Sequence, residues 1–526
     1  MRRTLALTLL SFLLLPGAAR ADAVTESYRV PTVDGAQVYV EVTRDPAVRA
    51  PVILTYSPYN VLGEGEETTD KYGMRYVPRG YARAVADVVG TRNSSGCWDY
   101  GGPEEQQSGV DLVNFLARQP WSNGRVAMIG GSYDGTTANM VAARSSAAPG
   151  LAGIVPIAAI SRWYGYAYSD GVRYSGNSQR PTDEGFDTPL AFDFGFGRTP
   201  PTDPSAIDAA RDRIKPCDAA LHTEKGYDIS PDYDAFWLER DYRKDARRFA
   251  VPALIAHGWQ DYNVKQEEGV ELFKALEAGP LTKLFLFQGG HGSPPDDAFL
   301  PVLDAFFARV LMGRDSGIEA MPAVLTQGRT AAGADAGFRA EPSWPPPGTQ
   351  PLSLALGRGA TGGTLGAGGA GPPASYSDRV PGSEEVAQRV LGAEAQWLTY
   401  RSDPLAADTR IADAPVLDAR ITVSRDRGQL VPTLFDVDPA GAAVPISRGF
   451  LALRYRDGLA TEQPLPVGEE LPVRVTFKNQ DWTVKAGHRI ALVLQSSNTA
   501  WAIPDAPGLA VEVASGGSRL VLPVAP

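Results

Sequence analysis

The stretch VAMIGGSYDGTTANMVAA, residues 126–143, allows few local structures. Four apolar residues of strand character stop at two glycines and a serine. After Tyr133-Asp134-Gly135 the chain resumes as a helix-like run of small and apolar residues. A strand that turns so sharply into a helix needs glycine where the backbone folds back, and it raises Ser132 at the apex. The stretch is therefore either an ordinary strand–loop–helix connection or a nucleophile elbow of the form G-x-S-x-x-G, with the helix N-terminus behind the serine.

The surrounding pattern favours a sheet with helices on both faces. PVILTY (51–56), YARAVAD (81–87) and GIVPIAA (153–159) read as buried parallel strands, and GPEEQQSGVDLVNFLARQPW as a helix with Pro103 in its first turn and Glu104 and Glu105 beside it. From about Ser161 to Ala250 the alternation breaks into an aromatic and polar segment that reads as an inserted, mostly helical cap. It resumes at VPALIAHGWQD, continues through KQEEGVELFKALEA and KLFLFQGGHG, and ends near DDAFLPVLDAFFARVLM. After about Glu341 short β-branched segments such as LDARITVS, LPVRVTFKN and HRIALVLQSS, separated by turn residues, read as a β-sandwich. The glycine-rich tract 357–371 reads as a loop between early strands. The expected architecture is an α/β core in two pieces, 22–160 and 250–320, with a cap at 161–249 and a sandwich at 340–526.

Residues 1–21 stand apart. Arg2 and Arg3, the apolar run Leu5–Leu15 and the small-x-small Ala19-Arg20-Ala21 read as a secretory signal peptide cut before Asp22, so the mature protein is expected outside the cytoplasm. Losing Arg2, Arg3 and Arg20 takes the formal charge from −11 to −14, which argues against nucleic acid or an anionic membrane as partner. Cys97 and Cys217, the two cysteines, suit a disulfide in an exported chain, with two unpaired thiols as the alternative. Nothing like a Cys-His arrangement surrounds Cys97.

A serine nucleophile needs a base, and the chain offers His222, His257, His291 and His488. In a hydrolase sheet the partners follow in the order Ser, acid, His on loops after later strands. His291 follows KLFLFQ in a Gly-Gly-His-Gly loop, and Asp261 comes three residues beyond the strand-like ALIAHG. Ser132, Asp261 and His291 would then lie at carboxyl ends of neighbouring strands, where open α/β sheets place their sites. His257 reads as packed beneath the acid loop, His488 as structural in a sandwich turn, and His222 has no assigned role. For an oxyanion hole the backbone N–H of Tyr133 supplies one donor. The loop SPYN offers the phenol of Tyr59 as a second, although a loop tyrosine more often simply packs.

Together these segments resemble the cocaine-esterase and X-prolyl dipeptidyl-peptidase family of α/β-hydrolases. SPY, DVVGTRNSSG, GGSYDG, HGWQDYNV, GGHG, WPPPG and AGHRI occur in its order, across essentially the whole mature chain. The resemblance implies an α/β-hydrolase core, a helical cap and a C-terminal jelly-roll β-sandwich, with Tyr59 as oxyanion tyrosine and no cofactor or metal. One departure is that Val89 stands where the family's glycine loop often carries arginine, and Arg92 comes later, so that arginine's role does not transfer.

Within the family, D-x-N around the catalytic acid resembles the X-prolyl peptidases. There the asparagine, here Asn263, binds the carbonyl of the penultimate substrate residue. Asp170, Asp183, Glu184 and Asp187 are candidate counter-charges for a substrate amine, and Trp163, Tyr164 and Tyr166 candidate walls of a proline pocket. The reading is a secreted serine hydrolase that releases Xaa-Pro dipeptides through an acyl-enzyme. The alternative is an esterase or acylase acting on small esters or amides. The expected partner is a peptide or small acyl substrate, with neither nucleic acid nor membrane, and a homodimer is compatible with the sequence.

Overall fold

The computed structural model describes residues 22–60, 67–174, 217, 231–276, 279, 281–357, 362–366, 372–379, 396–505 and 507–526. The signal-peptide reading, His222, Asp183, Glu184 and Asp187 lie outside them.

Ten strands form the catalytic sheet: β1 Val24–Pro31, β2 Gln37–Arg44, β3 Ala50–Ser57, β4 Ala82–Asp87, β5 Ser122–Gly131, β6 Leu151–Ile157, β7 Ala253–Gly258, β8 Thr282–Phe287, β9 Val324–Thr326 and β10 Arg339–Glu341. Their order is β1-β2-β4-β3-β5-β6-β7-β8-β9-β10. The run from β4 through β9 is parallel, while β1, β2 and β10 attach antiparallel at the two ends. All eight residues of β3 are buried, the mark of a central strand covered on both faces.

The period of two then splits each strand between two cores. Val52, Leu54, Val126 and Met128 join the core beneath helices Pro103–Ala117, Tyr133–Ala143 and Glu267–Leu276. Ile53, Ala127 and Ile129 join the opposite core, beneath Asp296–Met312. The sheet is doubly wound, as the alternation predicts.

Of the cap, the described part comprises the short helix Trp163–Ala167, a ribbon pairing Tyr168–Ser169 with Val172–Arg173, the helix Ala235–Glu239 and a 3₁₀ turn at Arg243–Arg248. Cys97 and Cys217 are joined as a disulfide. The expected bounds are corrected: the catalytic sheet runs past 320 through β9 and β10, and Arg329–Thr330 between them already pairs with the sandwich strand Gln480–Val484. After Glu341 the chain folds as the jelly-roll sandwich, with pairs such as Gln350–Leu356 on Arg519–Ala525 and Val416–Val423 on Glu470–Thr476. One local expectation is corrected: within the glycine-rich tract, Gly362–Gly366 is a strand, held between Gln350–Leu356 and Leu398–Ser402. Backbone pairing to two neighbours outweighs the weak strand preference of glycine.

The sandwich is bolted to the helix that follows the acid loop. Lys478 pairs with Glu267, Lys274 reaches both carboxylate oxygens of Asp413 at 2.8 Å, and the Gln266 amide donates to the Asn479 carbonyl at 3.0 Å. Deeper in the seam, buried Asp481 accepts from Arg410 and from Thr326 on β9.

Candidate active site

Strand β5 ends in the turn that carries Ser132. Its φ of 59° and ψ of −125° lie where residues with a side chain rarely sit, and the turn is held by the Ser132 N–H on the Ile157 carbonyl at 2.8 Å. Two glycines make the turn possible. A Cβ at Gly130 would stand 2.2 Å from Asp134, and one at Gly135 would stand 2.7 Å from the Gly130 carbonyl oxygen. Any side chain at either position would drive the helix off the strand.

The Ser132 hydroxyl oxygen accepts from the Tyr59 hydroxyl at 3.3 Å, and the Tyr133 N–H donates to the same Tyr59 oxygen at 3.4 Å. Both bonds are long, and so weak as hydrogen bonds. Burial, reinforced by the charge of Asp134, pushes the Tyr59 phenol well above its ordinary range, so it stays protonated and able to donate.

Asp261 lies in the loop after β7, fully buried, and His291 in the loop after β8. The His291 ring meets Asp261 Oδ2 through Nδ1 at 2.8 Å, while Oδ1 accepts the Asn263 N–H at 3.0 Å. With Nδ1 held by the acid, Nε2 is the ring nitrogen that Asp261 does not engage. Among the described residues His291 and Ser132 share no hydrogen bond. His257, fully buried, sits behind the same carboxylate: its Nε2 is 2.8 Å from the Val264 carbonyl and 3.5 Å from Asp261 Oδ2. Burial alone would raise the Asp261 carboxyl, but the hydrogen bonds of both histidines outweigh it and hold it below the usual carboxylate range.

Asn263 is partly buried, and its Oδ1 accepts from the Tyr166 hydroxyl at 2.9 Å. That contact orients the carboxamide and leaves Nδ2 as its donor. Trp163 packs edge-on against both Tyr133 and Tyr166, at 5.5 and 6.0 Å between ring centres, with its indole N–H spent on Tyr242. Tyr164 corrects the sequence reading. It points away from Asn263 into a cluster with Tyr168, Tyr233 and Trp237, and its hydroxyl donates to the Pro231 carbonyl. Trp163 and Tyr166 are three apart on one short helix and share a face, whereas Tyr164 lies about 100° round. Asp170 forms the turn of the cap ribbon at φ 42°. Burial raises its carboxyl, against the charges of Lys478 and Arg162. Of the remaining histidines, His488 is held by Asp436 at 2.7 Å in the sandwich.

Two groups had no role assigned from the sequence, Glu105 being read only as an acid of a helix's first turn. Glu105, fully buried, accepts the Tyr133 hydroxyl at 2.7 Å and the Trp98 indole at 3.0 Å. Lys265, also buried, donates to the Asn263 carbonyl at 3.0 Å with its ammonium over the Tyr174 ring, and burial then the charge of Lys478 lower it to about 7. Neither gave a local signal, since Glu105 lies in the polar run PEEQQS and Lys265 in YNVKQEE.

A serine raised on a strand–helix elbow, two donors beside it, and an acid-held histidine on the neighbouring loops define the α/β-hydrolase class. Residues 34–293 match the profile of the X-Pro dipeptidyl-peptidase S15 family, and residues 316–518 that of the X-Pro dipeptidyl-peptidase C-terminal non-catalytic domain. The chain belongs to this family of serine-hydrolase peptidases.

Among its relatives are proteins of Streptomyces avermitilis and Bacillus cereus, both provisionally named Xaa-Pro dipeptidyl-peptidase. Each is 28% identical; the matches cover 90% of this chain and 78% of the first, and 91% of this chain and 85% of the second. A solved CocE/NonD family hydrolase from Staphylococcus aureus shares the fold at a TM-score of 0.77 and 17% identity, over 96% of this chain and 94% of that one.

Proposed function

We propose that this protein releases Xaa-Pro dipeptides from peptide N-termini, with Ser132 as nucleophile, His291 as base and Asp261 as the acid that orients it. His291 Nε2 takes the Ser132 proton as the oxygen attacks the carbonyl of the proline-like residue. The new oxyanion accepts from the Tyr133 N–H, in place of the Tyr59 oxygen, and from the Tyr59 hydroxyl, which leaves the Ser132 oxygen for it. His291 gives its proton to the leaving amine, and water then repeats the sequence on the acyl-enzyme. Trp163 and Tyr166 wall the proline site, and Asn263 donates to the carbonyl of the residue before it.

The observation that carries the peptidase reading is the Tyr166–Asn263 bond. A carboxamide fixed two residues past the acid, with its donor end left over, suits a substrate that has a second carbonyl. Simple esters have none. On the character of residues 1–21 we propose further that the protein acts after export.

One substrate panel tests the reading: an Ala-Pro anilide, the same anilide with its amine acylated, and an acetate ester. The expected order places the free dipeptide anilide far ahead. Preference for the acetate ester would replace the peptidase with an esterase.

A further inference from the structure

Glu105 is a buried carboxyl that no step above uses. It lies in the first turn of the helix Pro103–Ala117, with none of its surface exposed. Its Oε2 accepts three donors: the Tyr133 hydroxyl and the Gly101 N–H, both at 2.7 Å, and the Trp98 indole at 3.0 Å. Oε1 is buried with no hydrogen-bond partner. The charged and titratable groups around it are Asp99, which accepts the N–H groups of Glu104 and Glu105, Arg240, which donates to the carbonyls of Asp99 and Tyr100, and the phenols of Tyr56, Tyr133 and Tyr242. Among the described residues no cation bonds to Glu105.

An anion here would keep one oxygen buried without a donor, beside a second carboxylate. The neutral acid avoids burying that charge beside Asp99, although Oε1 stays unpartnered in either form. Burial first, and then the charge of Asp99, push the carboxyl up to about 8.

The connection to the chemistry runs through Tyr133. One end of this residue supplies the N–H that faces the oxyanion. The other is tied to Glu105, and its ring is gripped edge-on by Trp98 and Trp163, each 5.5 Å away. We infer that Glu105 is a positioning residue for the oxyanion hole, which works with this carboxyl neutral and weakens when it ionises. A negative charge at the far end of the Tyr133 side chain, in apolar surroundings, opposes the negative charge that develops at its N–H. The inference rests on Ser132 being the nucleophile but not on which acyl bond is cleaved.

The test therefore uses reagents without a titrating amine. The rate of labelling by a fluorophosphonate and the kcat for an acetate ester are measured from pH 6.5 to 10. The wild-type protein is expected to lose about tenfold in both as pH rises through about 8, the effect of one pKa unit of interaction on the transition state. Glu105→Gln, which cannot ionise, removes that fall. Tyr133→Phe keeps the N–H but takes one donor from Oε2, so it moves the fall to higher pH. A labelled wild-type protein with no alkaline fall overturns the inference, as does Glu105→Gln falling at the same pH. If Glu105→Gln does not fold, the Tyr133→Phe profile decides, and an unmoved fall counts against the inference. A wild-type protein that the fluorophosphonate does not label overturns the Ser132 assignment and this inference with it.

Discussion

Two buried aspartates in this chain each hold a histidine by its Nδ1, one in the catalytic domain and one in the sandwich. Asp261 meets His291 at 2.8 Å, and Asp436 meets His488 at 2.7 Å. In each pair the second carboxylate oxygen is also occupied, by the Asn263 N–H in the first and the Trp482 indole in the second. The histidine side chains are similarly covered, 26% exposed for His291 and 17% for His488. What separates the pairs is their setting. Asp436 sits mid-strand opposite Ile490, within the wall of the sandwich, so its histidine clamps a turn. Asp261 and His291 sit on loops at the same sheet edge as Ser132 and its two donors. An acid-held imidazole is common structural chemistry, and it becomes a base only where topology adds a nucleophile and a place for negative charge.

The comparison can be broken most sharply at its centre. Ser132→Ala or His291→Ala should lower kcat on an Ala-Pro anilide by on the order of 10⁴- to 10⁶-fold, with the double variant little worse than either single one, since the groups act as a unit. Independent, additive losses would remove the triad assignment. Tyr59→Phe should cost about 10²- to 10³-fold in kcat, the usual effect of deleting one oxyanion donor, and leave KM nearly unchanged. A loss in KM alone would make Tyr59 a wall residue.

Asn263→Ala should lower kcat/KM on the same anilide by about 10- to 150-fold, or roughly 1.5–3 kcal/mol, and affect an acetate ester much less. Equal losses on both substrates would mean that Asn263 only shapes the Asp261 loop. At the other end of the scale, His488→Ala should leave kcat within about twofold while lowering stability by about 1–3 kcal/mol, read from urea unfolding, because Asp436 loses a buried partner. A large kcat loss there would couple the sandwich histidine to the chemistry.

The elbow, Asp261 and His291 were legible because order along a parallel sheet translates directly into position: each follows a strand, and those strands lie close together in one parallel sheet. The cap was less legible. In WYGYA any aromatic could wall a pocket or fill a core, and only the helical turn decides that Trp163 and Tyr166 face one way and Tyr164 the other. Glu105 was hidden for a different reason. In sequence it looks like an acid placed to suit a helix N-terminus, whereas its role depends on Trp98 and Tyr133, brought to it from separate segments by the packing of helix on sheet. Position along a strand is local information; enclosure by three segments is not.

The seam between Asp413, Lys478, Asn479 and the helix Glu267–Leu276 has a consequence for modularity. A region whose profile is described as non-catalytic supplies the outer half of the brace that fixes the loop carrying Asp261 and Asn263. Cut out by itself, the hydrolase domain would leave Gln266, Glu267 and Lys274 without these partners. Exchanging the jelly roll for that of a relative would swap one wall of the acid loop's foundation, and would succeed only where the donor carries matching charges at the seam.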